Sequence, residues 1–510
     1  MRNKKEKKMD RRIFFTTLLA GTFYNSLTIA RAAASKDLAD LDMIDTAAEI
    51  SSGRVSMFEV TKAAMDRIDA LNPHINALVT KTYDYGVRQI AQNPTGPLAG
   101  VPYMLKDLNP LVGVRTTNGS RLFSSHTSSR QSPYTDNILS SGVIILGKTN
   151  TPEFGLMPTT EPIANGVTRN PYNLDYSCGG SSGGAAAAVA SRMVAAAQAG
   201  DGGGSIRFPA AACNLFGLKP SRGRFGDQGY DDSVVNLSIR HAISRTVRDS
   251  AFMLALTENG PGATLPPVGY IEGPTNKKRK FALSLNAGNV SPDYDTQRAV
   301  QKIGRRLEGL GHEVEEVDIT LHDDPLFQDL FAGLWAQGAK RLLDVAERVT
   351  GVPASQSGLL EFSTLKMIEF YVDKPIISDT RIKEILGDLE NQMQTFYQSY
   401  DGWISPISPK PSPRLGYFTE GLDESLEKGV EEKAIMQMLF DRLAEFTAYT
   451  PINNALGRPA MSVPGGFNRS GIPIGVQIAA NTGQEALLLD IAYQLESDMP
   501  WIAAKPPISA

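Results

Sequence analysis

Two glycine-rich segments that carry serines constrain the fold of this chain more than any other feature. The first, CGGSSGG, spans residues 178–184, and the second, GDGGGS, spans residues 200–205. One such cluster alone is typical of a tight turn or of a close helix–sheet contact, because glycine tolerates conformations and approaches that a side chain prevents. The segment between the two clusters, AAAAVASRMVAAA (185–197), is helix-forming. A helix there would bring the second glycine-rich loop back next to the first, so the two clusters together indicate a functional site.

The backbone of the second cluster offers several N–H groups in a row. Such groups can line an oxyanion site, which needs hydrogen-bond donors fixed where negative charge develops. Which of the three serines at 181, 182 and 205 reacts is not decided by glycine content alone.

Composition bounds the fold class and the partners. The chain has 510 residues, 42% of them apolar, so it can bury a large core. Charged residues make up 21% and the formal net charge is −4, a balance that does not indicate a nucleic-acid partner. Two cysteines cannot form a disulfide framework, so the core must stabilise the fold.

The pattern along the chain predicts one large α/β domain. A strand at 280–287, a helix at 295–311 and a strand at 312–319 form a β-α-β unit, which predicts parallel pairing. Helical periodicity dominates from 325 to 447, interrupted by SPISPKPSPR (405–414). The end of the chain predicts two further strands, AMSVPGGF and IGVQIAA, and a closing helix, QEALLLDIAYQLES.

The amino terminus has the order of an export signal. A basic segment, MRNKKEKKMDRR, precedes an apolar segment and an A-x-A site at 30–32, and Arg11 and Arg12 resemble a twin-arginine signal. We therefore expect residues 1–32 to be a cleaved signal peptide, residues 33–510 to be the mature domain, and the protein to be periplasmic or secreted. We expect no stable membrane insertion after cleavage; an uncleaved anchor and a cytosolic protein remain the alternatives.

Two motifs match patterns whose chemistry the chain does not support. GVIILGKT (142–149) has phosphate-loop spacing, but its apolar residues predict a buried strand. GGSSG (179–183) has nucleophile-elbow spacing, which requires a downstream catalytic histidine. His241, His312 and His322 lie downstream, and each is better interpreted as structural. Cys178 is better interpreted as a small buried residue than as a nucleophile, and a Cys178–Cys213 disulfide is left open.

Six segments in order together resemble the amidase signature family. They are GVPYMLKD (100–107), GKTNTPEF (147–154), RNPYN (169–173), CGGSSGG, GDGGGSIRFPAAACNLFGLKPSRGR (200–224) and ALGRPAMSVP (455–464). The resemblance implies a single α/β domain with a mixed central β-sheet, helices on both faces and a helical subregion. It also implies catalysis without a metal or another cofactor.

The resemblance further implies a Ser–cis-Ser–Lys triad. Lys106 matches the family's lysine, Ser181 its bridging serine and Ser205 its nucleophile, and the peptide bond before Ser181 is expected to be cis. Gly180 would relieve the crowding at that bond. The implied oxyanion donors are the backbone N–H groups of Gly202, Gly203, Gly204 and Ser205, and the implied supporting residues are Ser182, Asp201 and Arg207.

The chemistry of such a triad depends on a neutral lysine. A free serine is a weak nucleophile and needs an adjacent base, whereas a lysine with a pKa of ~10.4 is neutral only about one time in a thousand near neutral pH. The apolar flank VPYML is consistent with burial, which would lower that pKa, unless the Asp107 carboxylate pointed inward. Many family members have Thr-Asp-Thr where this chain has residues 200–202, so a more mobile loop is expected.

These inferences predict an amidase that forms an acyl-enzyme with a small linear or cyclic amide, or a carbamate. Within the family the chain looks most like the branch of 6-aminohexanoate cyclic-dimer hydrolases and carbamate-cleaving amidases. The alternatives are a catalytically silent exported binding protein and a tRNA-dependent amidotransferase subunit; the export signal argues against the second.

Residues 325–447 are expected to set substrate specificity. The candidate pocket residues are Met157, Phe446 and Asn453. A homodimer is left open.

Overall fold

The fold is described here from a computed structural model, which covers residues 38–226, 235–319, 325–372, 378–421 and 429–510. The predicted signal peptide and His322 therefore lie outside the described residues. The α-helices of the described part are Met43–Ser51, Met57–Ile75, Tyr83–Ala91, Pro133–Ser140, Gly183–Ala190, Arg207–Ala212, Val247–Thr257, Tyr294–Gly309, Pro325–Thr350, Phe362–Val372, Asp379–Ser399, Glu432–Phe446, Pro451–Ala455 and Glu485–Asp498.

Thirteen strands are seen in the same part of the chain. They are β1 (Leu78–Lys81), β2 (Pro102–Lys106), β3 (Ile144–Thr149), β4 (Arg169–Asn170), β5 (Asn173–Ser177), β6 (Ala196–Asp201), β7 (Phe216–Lys219), β8 (Ile239–Ser244), β9 (Lys280–Leu283), β10 (Glu313–Glu316), β11 (Gly402–Pro406), β12 (Ala460–Phe467) and β13 (Pro473–Ala480).

The strands form one large mixed sheet with a smaller sheet beside it. The large sheet has the order β10-β9-β11-β13-β12-β7-β8-β6, and the three-stranded sheet has the order β1-β3-β2. The two sheets meet where β2 contacts β6, since the Lys106 N–H donates to the Gln198 side chain at 3.0 Å. Helices flank the sheet, so the predicted fold class is confirmed.

The β-α-β prediction is confirmed, although both strands are shorter than predicted. β9 and β10 pair in parallel, with Lys280 opposite Glu313, and the helix Tyr294–Gly309 connects them. The Asp293 side chain caps this helix at its amino end. The buried face of the helix, which includes Val300, packs on the sheet. The two predicted strands and the closing helix at the end of the chain are confirmed as well.

The alanine-rich segment between the glycine clusters differs from the prediction. Its first part lies in the helix Gly183–Ala190, but the chain then turns at Arg192, with a φ of 64°, and continues as strand β6. Burial decides this outcome, because β6 is covered on both faces and pairs with β8, where small side chains fit and helix propensity is overridden. The clusters still meet: the Ser182 hydroxyl bonds both the N–H and the C=O of Gly200.

The predicted helical subregion is helix-rich, but it also contributes a strand that was not predicted from the sequence. β11 lies inside the large sheet, parallel to β9 and antiparallel to β13. Its Trp403 and Ile404 are fully buried. In the described ranges, no helix combines the length and hydrophobicity needed to cross a membrane.

Candidate active site

Lys106 occupies the buried end of β2 and faces both serines of the first cluster. Its Nζ atom donates to Ser181 Oγ at 2.7 Å and to Ser182 Oγ at 2.9 Å. All three side chains are almost fully buried. The structure therefore brings together three of the predicted site residues in one hydrogen-bonded group.

The loop that presents Ser181 is held in close contact with its surroundings. The Gly180–Ser181 peptide bond is cis, as expected. A Cβ atom at position 180 would lie 2.5 Å from both the backbone N and O atoms of Thr159, so only glycine fits. Ser182 bonds Gly200, which ties this loop to the second cluster.

Burial lowers the pKa of Lys106 to about 7, and the nearby Arg240 adds to the lowering, while Asp201 opposes it. The neighbouring Asp107 carboxylate is directed elsewhere. It accepts hydrogen bonds from Thr117 and lies 3.7 Å from the Lys148 Nζ. The inward-pointing carboxylate considered from the sequence is therefore not found.

The second cluster is organised around a buried ion pair. Arg207 Nη2 lies 2.9 Å from Asp201 Oδ1, and both side chains are fully buried. The guanidinium holds the pKa of Asp201 far below its usual range, against the effect of burial. Asn454 donates to Asp201 and accepts from Arg207, and it was not identified from the sequence.

The predicted oxyanion donors are not equivalent in the structure. The Gly204 N–H donates to Asp201 Oδ1 at 2.7 Å, so it is already engaged, and its inclusion in the prediction is corrected. Within the described residues, the N–H groups of Gly202, Gly203 and Ser205 have no hydrogen-bond acceptor. Gly204 itself has a φ of 130°, a conformation that favours glycine.

Ser205 lies in a wall shared by two cavities. The residue is 7% exposed, and its hydroxyl makes no hydrogen bond within the described chain. The larger cavity, of about 750 Å³, is also lined by Lys106 and Ser181. The smaller cavity, of about 240 Å³, borders the larger one at Ser205, and the linings of both cavities are mostly apolar.

The helical subregion supplies most of the smaller cavity's wall. Four of its residues were not identified from the sequence; they are Phe331, Trp335, Met367 and Phe440. Among the candidate pocket residues named from the sequence, Met157 does line this cavity.

The other two candidate pocket residues line neither cavity next to Ser205. Phe446 is buried behind the smaller cavity, with its ring 5.4 Å from that of Phe208. Asn453 is fully buried. Both predictions are therefore corrected.

The histidines and cysteines that the sequence offered as alternatives make contacts that fit a structural role. His241 is fully buried, its Nε2 lies 2.9 Å from Ser250 Oγ, and burial lowers its pKa to about 3. His312 contacts Gln494 at 3.1 Å. Cys178 and Cys213 are both buried and unpaired, and burial raises the pKa of the Cys178 thiol. Across the described ranges, no cluster of three or more His, Cys, Asp or Glu side chains could hold a metal ion.

Comparison with known proteins agrees with this geometry. The family model named Amidase matches residues 59–489. The chain belongs to the amidase signature family. It is a hydrolase that acts on amide C–N bonds.

Relatives and solved structures of this amidase family match nearly the whole chain. A putative amidase, AmiC, from Mycobacterium tuberculosis is 33% identical over 475 residues, with 92% of this chain and 97% of the relative covered. A 6-aminohexanoate-cyclic-dimer hydrolase from Paenarthrobacter ureafaciens is 30% identical, with 90% and 95% covered. The solved structure of a 6-aminohexanoate cyclic dimer hydrolase with its substrate has a TM-score of 0.83 at 29% identity, with 92% and 100% covered.

Proposed function

We propose that this amidase cleaves a small linear or cyclic amide with Ser205 as nucleophile, Ser181 as proton relay and Lys106 as base. The observation that carries the proposal is the buried hydrogen bond between Lys106 and Ser181, in a cavity that Ser205 also lines. A pKa of about 7 makes a large share of the lysine neutral at physiological pH, which is what a base requires.

In the proposed reaction, protons move through Ser181. Ser205 Oγ attacks the amide carbonyl carbon and gives its proton to Ser181 Oγ, while the Ser181 proton moves to the neutral Lys106 amine. The tetrahedral intermediate collapses and the C–N bond breaks as Ser181 gives one proton to the leaving nitrogen and takes one back from the Lys106 ammonium. Water then attacks the acyl-enzyme by the same relay, releasing the acid and restoring Ser205.

The proposed oxyanion site uses the N–H groups of Gly202, Gly203 and Ser205. Its support is the contrast with Gly204 and Ile206, whose N–H groups donate to the Asp201 carboxylate. Preorganised donors of this kind stabilise charge where it develops in the transition state. The supporting role of Asp201 and Arg207 is therefore to fix the loop.

A small amide is supported by the cavity next to Ser205 and by the relatives named as acting on 6-aminohexanoate cyclic dimer. A carbamate fits the same chemistry and is the second substrate to test. A catalytically silent binding protein is disfavoured by the intact Lys106–Ser181–Ser205 set. A tRNA-dependent subunit is disfavoured by the predicted export signal and the net charge of −4.

The test is hydrolysis of a panel by residues 33–510 and by its Ser205→Ala variant. The panel holds a simple carboxamide, an anilide, a peptide amide, a cyclic diamide and a carbamate. Ser462→Ala is the matched control, because its hydroxyl is also buried but has no hydrogen-bond partner and lines neither cavity. Turnover that Ser205→Ala loses and Ser462→Ala keeps supports the proposal. A folded protein that turns over nothing and ignores fluorophosphonate contradicts it.

A further inference from the structure

The two cavities that share Ser205 differ in the sign of the charges that line them. Among its described lining residues, the larger cavity has three arginines and no carboxylate; the arginines are Arg130, Arg240 and Arg341. Lys106 and His126 also line it, but Lys106 is neutral when it acts as the base and is not counted as a charge. The smaller cavity has no basic side chain among its described lining residues, and its charged members are Asp329 and Asp441. A substrate whose scissile bond lies at Ser205 therefore meets a different electrostatic environment on each side.

The basic side chains are spread from the interior to the mouth of the larger cavity. Arg240 is buried and donates to Ser132 Oγ at 3.0 Å. Arg341 is half-buried on the helix Pro325–Thr350. Arg130 is exposed and makes no hydrogen bond or ion pair in the described chain. Its guanidinium carries five N–H donors, and no described residue accepts from them.

The smaller cavity is suited to a different group. Trp335 stacks on Phe331 in its wall at a ring distance of 5.8 Å, and no basic side chain is among its described lining residues. Asp329 and Asp441 are exposed, so they lie towards its opening. A carboxylate entering here would lose water and meet like charges, and both effects are unfavourable.

In the larger cavity, by contrast, a carboxylate would meet positively charged side chains. Arginine binds a carboxylate through charge-assisted hydrogen bonds, which are shorter and stronger than neutral ones. A cleft lined by one sign of charge also raises the local concentration of the oppositely charged ligand. A carboxylate-bearing group is therefore the complementary occupant of this side.

We propose that the preferred substrate is an amide that carries a carboxylate on the portion bound in the larger cavity and an apolar portion in the smaller one. This inference rests on the proposed function, because it uses Ser205 as the point of cleavage. It narrows the substrate class from amides in general to anionic amides.

The test compares matched substrates that differ only in charge. Each pair is one linear amide with a terminal carboxylate and the same amide with that group as a methyl ester, placed on the acyl side in one pair and on the amine side in the other. We expect kcat/KM to be about tenfold higher for the carboxylate in one of the two pairs. The advantage should shrink as salt is raised.

Two variants locate the effect. Arg130→Gln and Arg341→Gln should each reduce the preference by raising KM for the carboxylate substrate several-fold, with little change for the ester. Arg348→Gln is the matched control, because Arg348 is on the same helix as Arg341 but does not line the cavity. Equal kcat/KM within both pairs, or an equal effect of Arg348→Gln, would overturn the inference.

Failure of this inference is separable from failure of the proposed function. Binding of the same pairs to the Ser205→Ala protein, measured by calorimetry, requires no turnover. Tighter binding of a carboxylate that Arg341→Gln removes supports the charge inference even if hydrolysis by the unmodified chain is absent. Hydrolysis without any charge preference leaves the proposed function standing and overturns the inference.

Discussion

The Nζ atom of Lys106 lies 2.7 Å from the Oγ atom of Ser181, and both side chains are buried. The lysine belongs to β2 and the serine to the loop before the helix Gly183–Ala190, so 75 positions of sequence separate them. The contact depends on the junction of the two sheets. Its first consequence is for the pH dependence of catalysis.

Activity should rise with pH through a midpoint near 7. Lys106 acts as a base only when neutral, and its pKa of about 7 means that the neutral form dominates above that pH. We expect kcat/KM to increase between about pH 6 and pH 8 and then to level. The measurement is a pH profile with an uncharged amide. Arg240→Met should move the midpoint to higher pH, because Arg240 disfavours the charged lysine; a profile flat across this range would contradict the assignment.

Replacing Lys106 should abolish activity, whereas replacing another buried lysine should not. We expect Lys106→Met to lower kcat by about 10⁴-fold or more, the order of loss that follows removal of one member of a serine-hydrolase triad. Lys219 is the matched control, since burial also lowers its pKa to about 7 but it donates to the Pro220 carbonyl and lines neither cavity. Lys219→Met should keep most of the activity in the fraction that is folded. Equal losses in the two folded variants would show that the Lys106 effect is not specific.

The Asp201–Arg207 pair should be required for stability of the second cluster. Arg207→Met leaves a buried carboxylate without its cation, which costs about 3 to 5 kcal/mol. We expect the free energy of unfolding in urea to fall by that amount at neutral pH. The pKa of Asp201 is lowered in the fold, so the pair's contribution is present above the ordinary aspartate pKa and is lost on acidification through the lowered one. A variant as stable as the parent would contradict this role.

Glu361→Gln should increase stability at neutral and alkaline pH. Burial raises the pKa of Glu361 to about 7, with the nearby Glu153 adding to the rise. The folded state therefore binds a proton more tightly than the unfolded state, and this contribution is complete below the unfolded pKa and is lost as pH rises through 7. Gln keeps an oxygen for the Ile163 N–H, now 2.7 Å from Glu361 Oε1.

For this variant we expect a gain of about 1 to 2 kcal/mol at pH 8 and a smaller one at pH 5, measured by urea unfolding. Glu384→Gln is the control, because that carboxylate is exposed on the helix Asp379–Ser399. The prediction is wrong if Glu361→Gln destabilises at pH 8 or if both variants change the pH dependence alike.

Export remains a prediction, and the twin-arginine pattern makes it testable. We propose that residues 1–32 direct the protein across the membrane and are removed. Expression of the full chain, followed by fractionation and amino-terminal sequencing, should recover a product that begins at residue 33. Replacing Arg11 and Arg12 with lysine should retain the protein in the cytoplasm. Recovery of uncleaved, cytoplasmic parent protein would refute the proposal.

The sequence predicted the parts of this molecule where local pattern and structure agree. The β9-helix-β10 unit has clear periodicity, and the terminal strands have short apolar runs. Lys106, Ser181 and Ser205 were identified through the family's motifs, and the structure adds the 2.7 Å contact of the first two. Local pattern failed where burial decides: β6 is alanine-rich, yet the sheet makes it a strand.

Other features depend on contacts between distant segments. The Gly204 N–H is engaged by a carboxylate whose position is set by Arg207 and Asn454, and no spacing rule indicates this. The apolar wall of the smaller cavity comes from helices of the segment 325–447. Their periodicity indicates that one face of each helix is buried, but it does not indicate which other segment that face contacts. Trp335 and Phe440 were missed for that reason.

The position of β11 limits how new specificity could be engineered. In sequence, the segment 325–447 looks like a separable unit, because its helices supply the cavity wall. Exchanging it between homologues would be an obvious way to make chimeras. Yet Gly402–Pro406 lies between β9 and β13 in the main sheet. A transplanted segment would carry a central strand with it and would have to match two neighbours in register. Grafts bounded by 325–399 and 432–446, which leave this strand in place, are the exchanges that the architecture permits.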